Sequence, residues 1–227
     1  LNDHHAFDLL NTLLFYADLA AVKDQLKAVL MLVLNRLQAR NTPKYTRAFV
    51  NFVAFFMCLE KSEPTPKVLV NALDAIQPHI LTGLLQSVIV PNLANLSSPQ
   101  DRKTAVVGYL RLVQLAPGLL QPPYTDNAVP ALLVELGNKL VVQVAEGEDG
   151  AAEDDLAAVD LVDVSAFQTN YSRLATISKQ SLDPAPYVAD YRGFFKQTMS
   201  QLAQSNAALL VKVADAWPAE VKAFMGV

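Results

Sequence analysis

Apolar side chains recur along residues 26–37 at Leu26, Leu30, Val33 and Leu37, in steps of four, three and four. That spacing places them on one stripe of a helix, while Lys23, Lys27, Arg36 and Gln38 fall mainly on its other faces. Tyr45, Phe49, Phe52 and Phe56 repeat the same steps after a polar hinge at 40–44, where Pro43 suits a first helical turn because its φ is preset and it has no N–H to lose. Residues 26–59 therefore predict an antiparallel helix pair. Leu32, Leu34, Val50, Val53, Phe55 and Met57 extend the apolar surface around both helices, so the pair requires neighbours on either side.

The rest of the chain alternates helical spacing with short breakers. Phe7, Leu10, Leu14 and Ala17 predict a first helix over 3–17 with Asp3 as its N-cap. Pro64 and Pro66 stop the aromatic helix, 67–75 forms a short helix or cover, and Gln77-Pro78 opens a helix reaching Leu93. That helix carries two stripes, Ile80, Leu84 and Val88 beside Leu81, Leu85, Ile89 and Leu93. Gly108 lies inside a helix predicted over 100–115; a helical glycine costs ~1 kcal/mol against alanine, which points to a close helix crossing. A proline corner at 117–124 leads to a helix over 125–145, where Pro130 demands a kink or a later start. Phe167, Tyr171, Leu174 and Ile177 predict another, and Tyr187, Tyr191, Phe194, Phe195, Met199 and Leu202 one more. The end, 206–225, closes the stack with Trp217 as its anchor. The fold class is all-α: an α–α superhelix, or solenoid, of roughly four stacked repeats over 1–227, recurring every ~40–55 residues, close to the HEAT period.

Composition refines this picture. Hydrophobic residues make up 52% of the 227 and glycines number only 8, which favours long helices over a turn-rich β fold. A mean hydropathy of +0.23 raises the question of a membrane. Apolar runs such as 28–34 fall far short of the ~20 residues that span a bilayer, so the hydrophobicity implies burial on several sides and no membrane partner. Cys58 is the single cysteine; it forms no internal disulfide and is expected as a reduced core thiol. A start at Leu1 with no signal pattern reads as a cut piece, with a first helix layer left uncovered and open to self-association.

Charge is distributed unevenly. Between 146 and 164 lie Glu146, Glu148, Asp149, Glu153, Asp154, Asp155, Asp160 and Asp163, with no Lys or Arg. These are eight of the 22 acidic residues, leaving 14 against 18 basic ones, so an acidic loop interrupts a mildly basic body. Asp149-Gly150-Ala151-Ala152 breaks the alternate carboxylates of a calcium loop, so a solvated acidic loop is the reading. Conversely, Lys27 to Leu59 contains no acid, and Lys23, Lys27, Arg36, Arg40, Lys44 and Arg47 form a basic stretch. A pI of 5.3 argues against nucleic acid as partner.

No chemistry-bearing constellation is present. His4, His5 and His79 have no ligand spacing around them, and neither a glycine-rich phosphate cradle nor a Gly-x-Ser-x-Gly elbow occurs. The expectation is a protein that is not an enzyme and uses no metal or cofactor.

The wording of the chain goes further than its periodicity. Residues 29–53, the segment Ala72-Leu73-Asp74-Ala75-Ile76-Gln77-Pro78, and 84–93 ending Val90-Pro91-Asn92-Leu93 come first. Arg102-Lys103-Thr104-Ala105-Val106-Val107-Gly108, the acidic loop, and Phe167-Gln168-Thr169 with Tyr171-Ser172-Arg173-Leu174-Ala175 follow in the same order. Together they resemble the importin-α re-exporter (cellular apoptosis susceptibility) family of HEAT-repeat β-karyopherins, with departures at Val164-Ser165-Ala166 and in the tail. The resemblance implies a C-terminal portion of a nuclear export receptor that binds importin-α as cargo together with Ran-GTP, shuttling between nucleus and cytoplasm. It implies that Ran is held mainly by repeats nearer the family's N-terminus. Lys23, Lys27, Arg36 and Arg40 are then candidate contacts for an acidic partner surface, and Glu148, Asp149, Glu153, Asp154 and Asp155 for a basic one. The alternative is a generic helical-repeat scaffold with other protein partners.

Overall fold

The computed structural model describes residues 3–96, 98–141 and 182–226, and among them every regular element is helical. The helices are α1 (Asp3–Tyr16), α2 (Leu19–Ala39), α3 (Pro43–Cys58), α4 (Thr65–Asp74), α5 (Ile80–Leu84), α6 (Val90–Leu93), α7 (Pro99–Leu115), α8 (Ala128–Val141), α9 (Tyr191–Ser205), α10 (Ala207–Ala216) and α11 (Ala219–Met225). A π turn, Leu85–Ile89, joins α5 to α6. The acidic loop and the helix predicted around Phe167 lie outside the described residues.

The helices stack in two rows. In one row α1 packs on α3, α3 on α7 and α7 on α9; in the other α2 packs on α4, the α5–α6 run on α8, and α8 on α10. Cross-row contacts join α3 to α4 and α6, α7 to α8, and α9 to α10. Among the described residues this gives three cross-paired units, preceded by α1 and α2, each of which packs along its own row. Their phase differs from the sequence reading by one helix: α3 packs far more against α1 and α7 than against α2, and its cross-row partners follow it in the chain. The 40–44 hinge is a connection between units. Spacing alone reports that a helix needs neighbours and leaves their identity open.

Local chemistry sets the element ends. Thr42 caps α3 by accepting from the Tyr45 N–H, and Pro43 occupies the first turn as expected. Asp3 is already helical and no longer a cap. Pro64 and Pro66 open α4, six residues after α3 has ended. The helix expected from Gln77-Pro78 starts only at Ile80, after His79 in the left-handed region with φ 58°. Farther along it, Pro91 has no N–H and its ring would strike the carbonyl four residues back; the helix widens so that the Val90 N–H reaches Leu85 O, and the Asn92 amide takes the Val88 carbonyl at 2.7 Å. Pro130 is accommodated by a start at Ala128.

The α3–α7 crossing is the tightest contact. A Cβ on Gly108 would overlap the Ala54 carbonyl oxygen and stand 3.0 Å from Ala54 Cα, so the two backbones touch where a side chain is missing. Beside this point the buried Tyr109 hydroxyl donates to Val50 O at 2.9 Å, and burial pushes its pKa up. All seven side chains from Phe52 to Cys58 are buried, because α3 has a neighbour on every side. Cys58 is a buried free thiol whose Sγ donates to Thr104 O at 3.3 Å, and burial likewise pushes its pKa up. Trp217 packs on Phe195 with ring centroids 6.1 Å apart, closing the last layer.

A polar clasp holds the segment before α9 to this crossing. Asp183 accepts from Lys103 Nζ at 2.6 Å and from Gln100 at 3.1 Å, and the Tyr187 hydroxyl donates to Cys58 O at 2.6 Å. Burial alone would raise the Asp183 carboxyl, but the bonds from Lys103, Ala185 N–H and Gln100 outweigh it and hold its pKa below the ordinary value.

Two outcomes test this packing. Gly108→Ala drives a methyl into the α3 backbone and costs roughly 1–3 kcal/mol, lowering the melting temperature by several degrees; Gly83→Ala, where a Cβ meets nothing within 4 Å, raises it slightly. Equal melting of Gly108→Ala and parent would refute the close crossing. Because the folded Asp183 pKa is depressed, its contribution is present above the unfolded value and lost as pH falls through the folded one. Asp183→Asn should therefore melt below the parent at pH ~7, by a gap that narrows as the pH is taken below the ordinary carboxylate range; a gap that does not narrow would refute the clasp.

Candidate partner-binding surface

The basic stretch folds into α2, the 40–44 corner and the first turns of α3, and its cations, like those elsewhere in the stack, divide into two kinds. The first kind is absorbed by the protein. Carbonyls at a helix C-terminus have no partner within the helix and carry partial negative charge, so a cation satisfies both needs. Arg36 serves α2 in this way: its guanidinium donates to Arg40 O at 3.1 Å and lies 5.2 Å above the Tyr45 ring. Lys61 donates to Phe15 O and Ala17 O at 2.9 and 2.8 Å, ending α1. Arg111 donates to Met57 O at 2.9 Å, ending α3, and its guanidinium covers the Tyr187 ring at 5.3 Å. Lys139 donates to Ala94 O at 2.7 Å, ending α6; burial lowers its pKa, against the pull of Glu135.

The second kind faces solvent. Lys27, Arg40, Lys44 and Arg47 are exposed and meet no carboxylate among the described residues. Lys23 is also exposed, but its ammonium sits 2.6 Å from a Glu63 carboxylate oxygen near the end of the link to α4. Of the four cations that the sequence nominates along α2 and its C-terminal cap, Lys27 and Arg40 thus remain open, Lys23 is ion-paired and Arg36 is a brace. The structure adds Lys44 and Arg47, one turn apart on α3, to Arg40 at the corner. Glu148, Asp149, Glu153, Asp154 and Asp155 lie outside the described residues.

Two further surfaces are apolar: the first helix layer, which the sequence leads one to expect uncovered, and a cleft that the sequence gives no sign of. Leu9, Leu13 and Tyr16 form a bare stripe along α1, 70%, 51% and 72% exposed, and Leu32 on α2 is exposed as well. A cleft runs between the C-terminal half of α2 and α5, with its walls about 40 residues apart in the chain. Neither has a local motif, because each is created by which helices meet. Among the described residues, no three His, Cys, Asp or Glu side chains gather as a metal-holding group, and no helix is long and apolar enough to cross a membrane.

The division of cations has a direct check. Arg36→Ala removes a helix-ending bond and a ring contact and should cost about 1–2 kcal/mol, whereas Lys27→Ala should leave the melting temperature unchanged. Equal effects would erase the distinction.

The chain and its helical stack have counterparts among known proteins. The family model described as CAS/CSE protein, C-terminus, matches residues 1–226. The importin-alpha re-exporter of Schizosaccharomyces pombe is 28% identical over 211 residues, covering 91% of this chain and 21% of that protein. Exportin-2 of Homo sapiens and of Oreochromis niloticus are each 27% identical over 183 residues, covering 81% of this chain and 18% of theirs. The chain thus spans about a fifth of the length of these relatives. A solved structure described as the exportin Cse1 in its cargo-free, cytoplasmic state superposes with a TM-score of 0.69 at 18% identity, over 98% of this chain and 22% of that one. It has the same helical-repeat fold.

Proposed function

We propose that this chain, which belongs to the CAS/CSE family, forms the C-terminal helical arch of a nuclear export receptor and contributes to gripping importin-α when Ran-GTP is bound. The observation that carries the reading is the family match over residues 1–226, on a stack of helices with the corresponding solenoid fold. The names of the relatives, importin-alpha re-exporter and exportin-2, supply cargo and direction. The receptor shuttles between nucleus and cytoplasm, with Ran held mainly by repeats outside this chain, and the chain itself performs no catalytic step.

The physical basis is the two-row stack. Each unit touches only its neighbours, so small rotations between units add up along the superhelix, and two ligands that favour one curvature raise each other's affinity. Lys27 and Arg40 present positive charge to acidic patches of the cargo. Glu148, Asp149, Glu153, Asp154 and Asp155 offer the opposite sign to basic ones. The bare α1 stripe is the surface through which isolated copies of the chain self-associate.

Calorimetry of the 227-residue chain against importin-α, with and without Ran locked in its GTP state, tests this reading. Binding is expected to weaken several-fold between ~50 and ~150 mM salt and further in Lys27→Glu/Arg40→Glu. Absence of binding by the chain, with binding by the complete receptor, would assign this region to shaping the arch; absence in both would overturn the export reading.

A further inference from the structure

The cleft between α2 and α5 is a separate feature with a volume of about 540 Å³, within the ~300–1,000 Å³ usual for binding sites. Leu34 and Leu37 form one wall, and the partly buried row Ile80, Leu84 and Val88 the other. Successive members of that row are four residues apart, a rise of about 6 Å along the helix. Alternate side chains of an extended peptide repeat at about 6.6 Å, so every second one can settle between neighbouring rungs. Among the described residues, no Asp, Glu, Lys or Arg lines the cleft.

Its polar groups match a peptide backbone. Gln38 and Gln77 stand on opposite walls, and neither side-chain amide has a partner among the described residues. The Asn41 carbonyl oxygen already accepts from the Thr46 hydroxyl, leaving its NH₂ to donate. Each Gln offers two donors and an acceptor, the complement of alternating backbone C=O and N–H. Ser87, by contrast, is spent on Gly83 O at 2.6 Å. Gly83 keeps the mouth open, since a Cβ there would meet nothing within 4 Å.

Charge marks one end. Gln38 and Asn41 flank Arg40 at the corner, where Lys44 and Arg47 also lie exposed without a carboxylate partner among the described residues. We propose that the α2–α5 cleft binds an extended peptide segment with apolar side chains at alternate positions and carboxylates at the end beside the 40–44 corner. Leucine- or valine-sized side chains enter the cleft, the Gln38, Asn41 and Gln77 amides hold the main chain, and the corner cations fix its direction.

The test is fluorescence anisotropy of the 227-residue chain with a fluorescein-labelled peptide, Ser-Leu-Ser-Val-Ser-Leu-Ser-Asp-Glu, and a second peptide ending in Lys-Lys. Saturable binding of the acidic peptide is expected, about tenfold tighter than the Lys-Lys peptide, and weakened about tenfold by Gly83→Leu, which fills the mouth. Gly83→Leu should melt at or slightly above the parent temperature, since the position is open and helical, so its loss of binding cannot be ascribed to unfolding. Arg40→Ala should weaken the acidic peptide and leave the Lys-Lys peptide unchanged. No saturable binding, equal binding by parent and Gly83→Leu, or equal affinity for the two peptides would overturn the proposal. Importin-α is absent from this titration, so its outcome and that of the export reading are independent.

Discussion

Contact between two helix backbones at Gly108 and Ala54 sets the geometry on which the stack depends. A side chain at position 108 would hold α7 away from α3, and the residues buried around the crossing would lose their fit. Tyr109 donates to Val50 beside it, Asn51 donates to Asp101 at 2.7 Å on one flank, and Arg111 reaches Met57 O on the other. Because α3 carries α1, and α7 carries α9, one close approach fixes the separation of the whole row. Protein interiors are packed too densely to absorb such a change locally.

The cations show how a stack of short helices handles its ends. Helix ends expose carbonyls; Lys61, Arg111 and Lys139 answer some of them from other segments, and Arg36 answers its own helix's end. A basic residue in such a fold therefore has two possible destinations, a helix end or solvent. Arg36 and Arg40, one turn apart, take different ones: the first closes α2 over the Tyr45 ring and the second faces outward. Three of the solvent-facing cations, Arg40, Lys44 and Arg47, gather at a corner between units, where a partner can reach them without disturbing the core.

Stacking of units shapes the surfaces of a solenoid, and the α2–α5 cleft arises in that way. The α2–α5 cleft exists because α2 packs on α4 while the chain turns through His79 before α5 begins. Widening of the helix ahead of Pro91 is part of the same region. Apolar walls and unspent amides are thus by-products of stacking that can be used for recognition, whereas a catalytic constellation would need groups converging from several layers.

Helical class, the apolar stripes, the place of Pro43 in the first turn of α3 and the reason for Gly108 were legible in the amino-acid sequence, because each is governed by contacts within a few residues or by backbone sterics. So was the family, since long collinear wording survives where no single motif would. Which helix pairs with which was decided only in three dimensions: α3 has apolar residues on every face, and periodicity cannot choose among neighbours. The roles of Arg36 and Lys23 were hidden for a related reason. Charge is visible in sequence, but whether it meets a helix end, a Glu63 carboxylate or water depends on segments brought together by packing. The cleft was invisible altogether, because Gln38 and Gln77 are ordinary surface amides until two helices about 40 residues apart set them across a shared apolar floor.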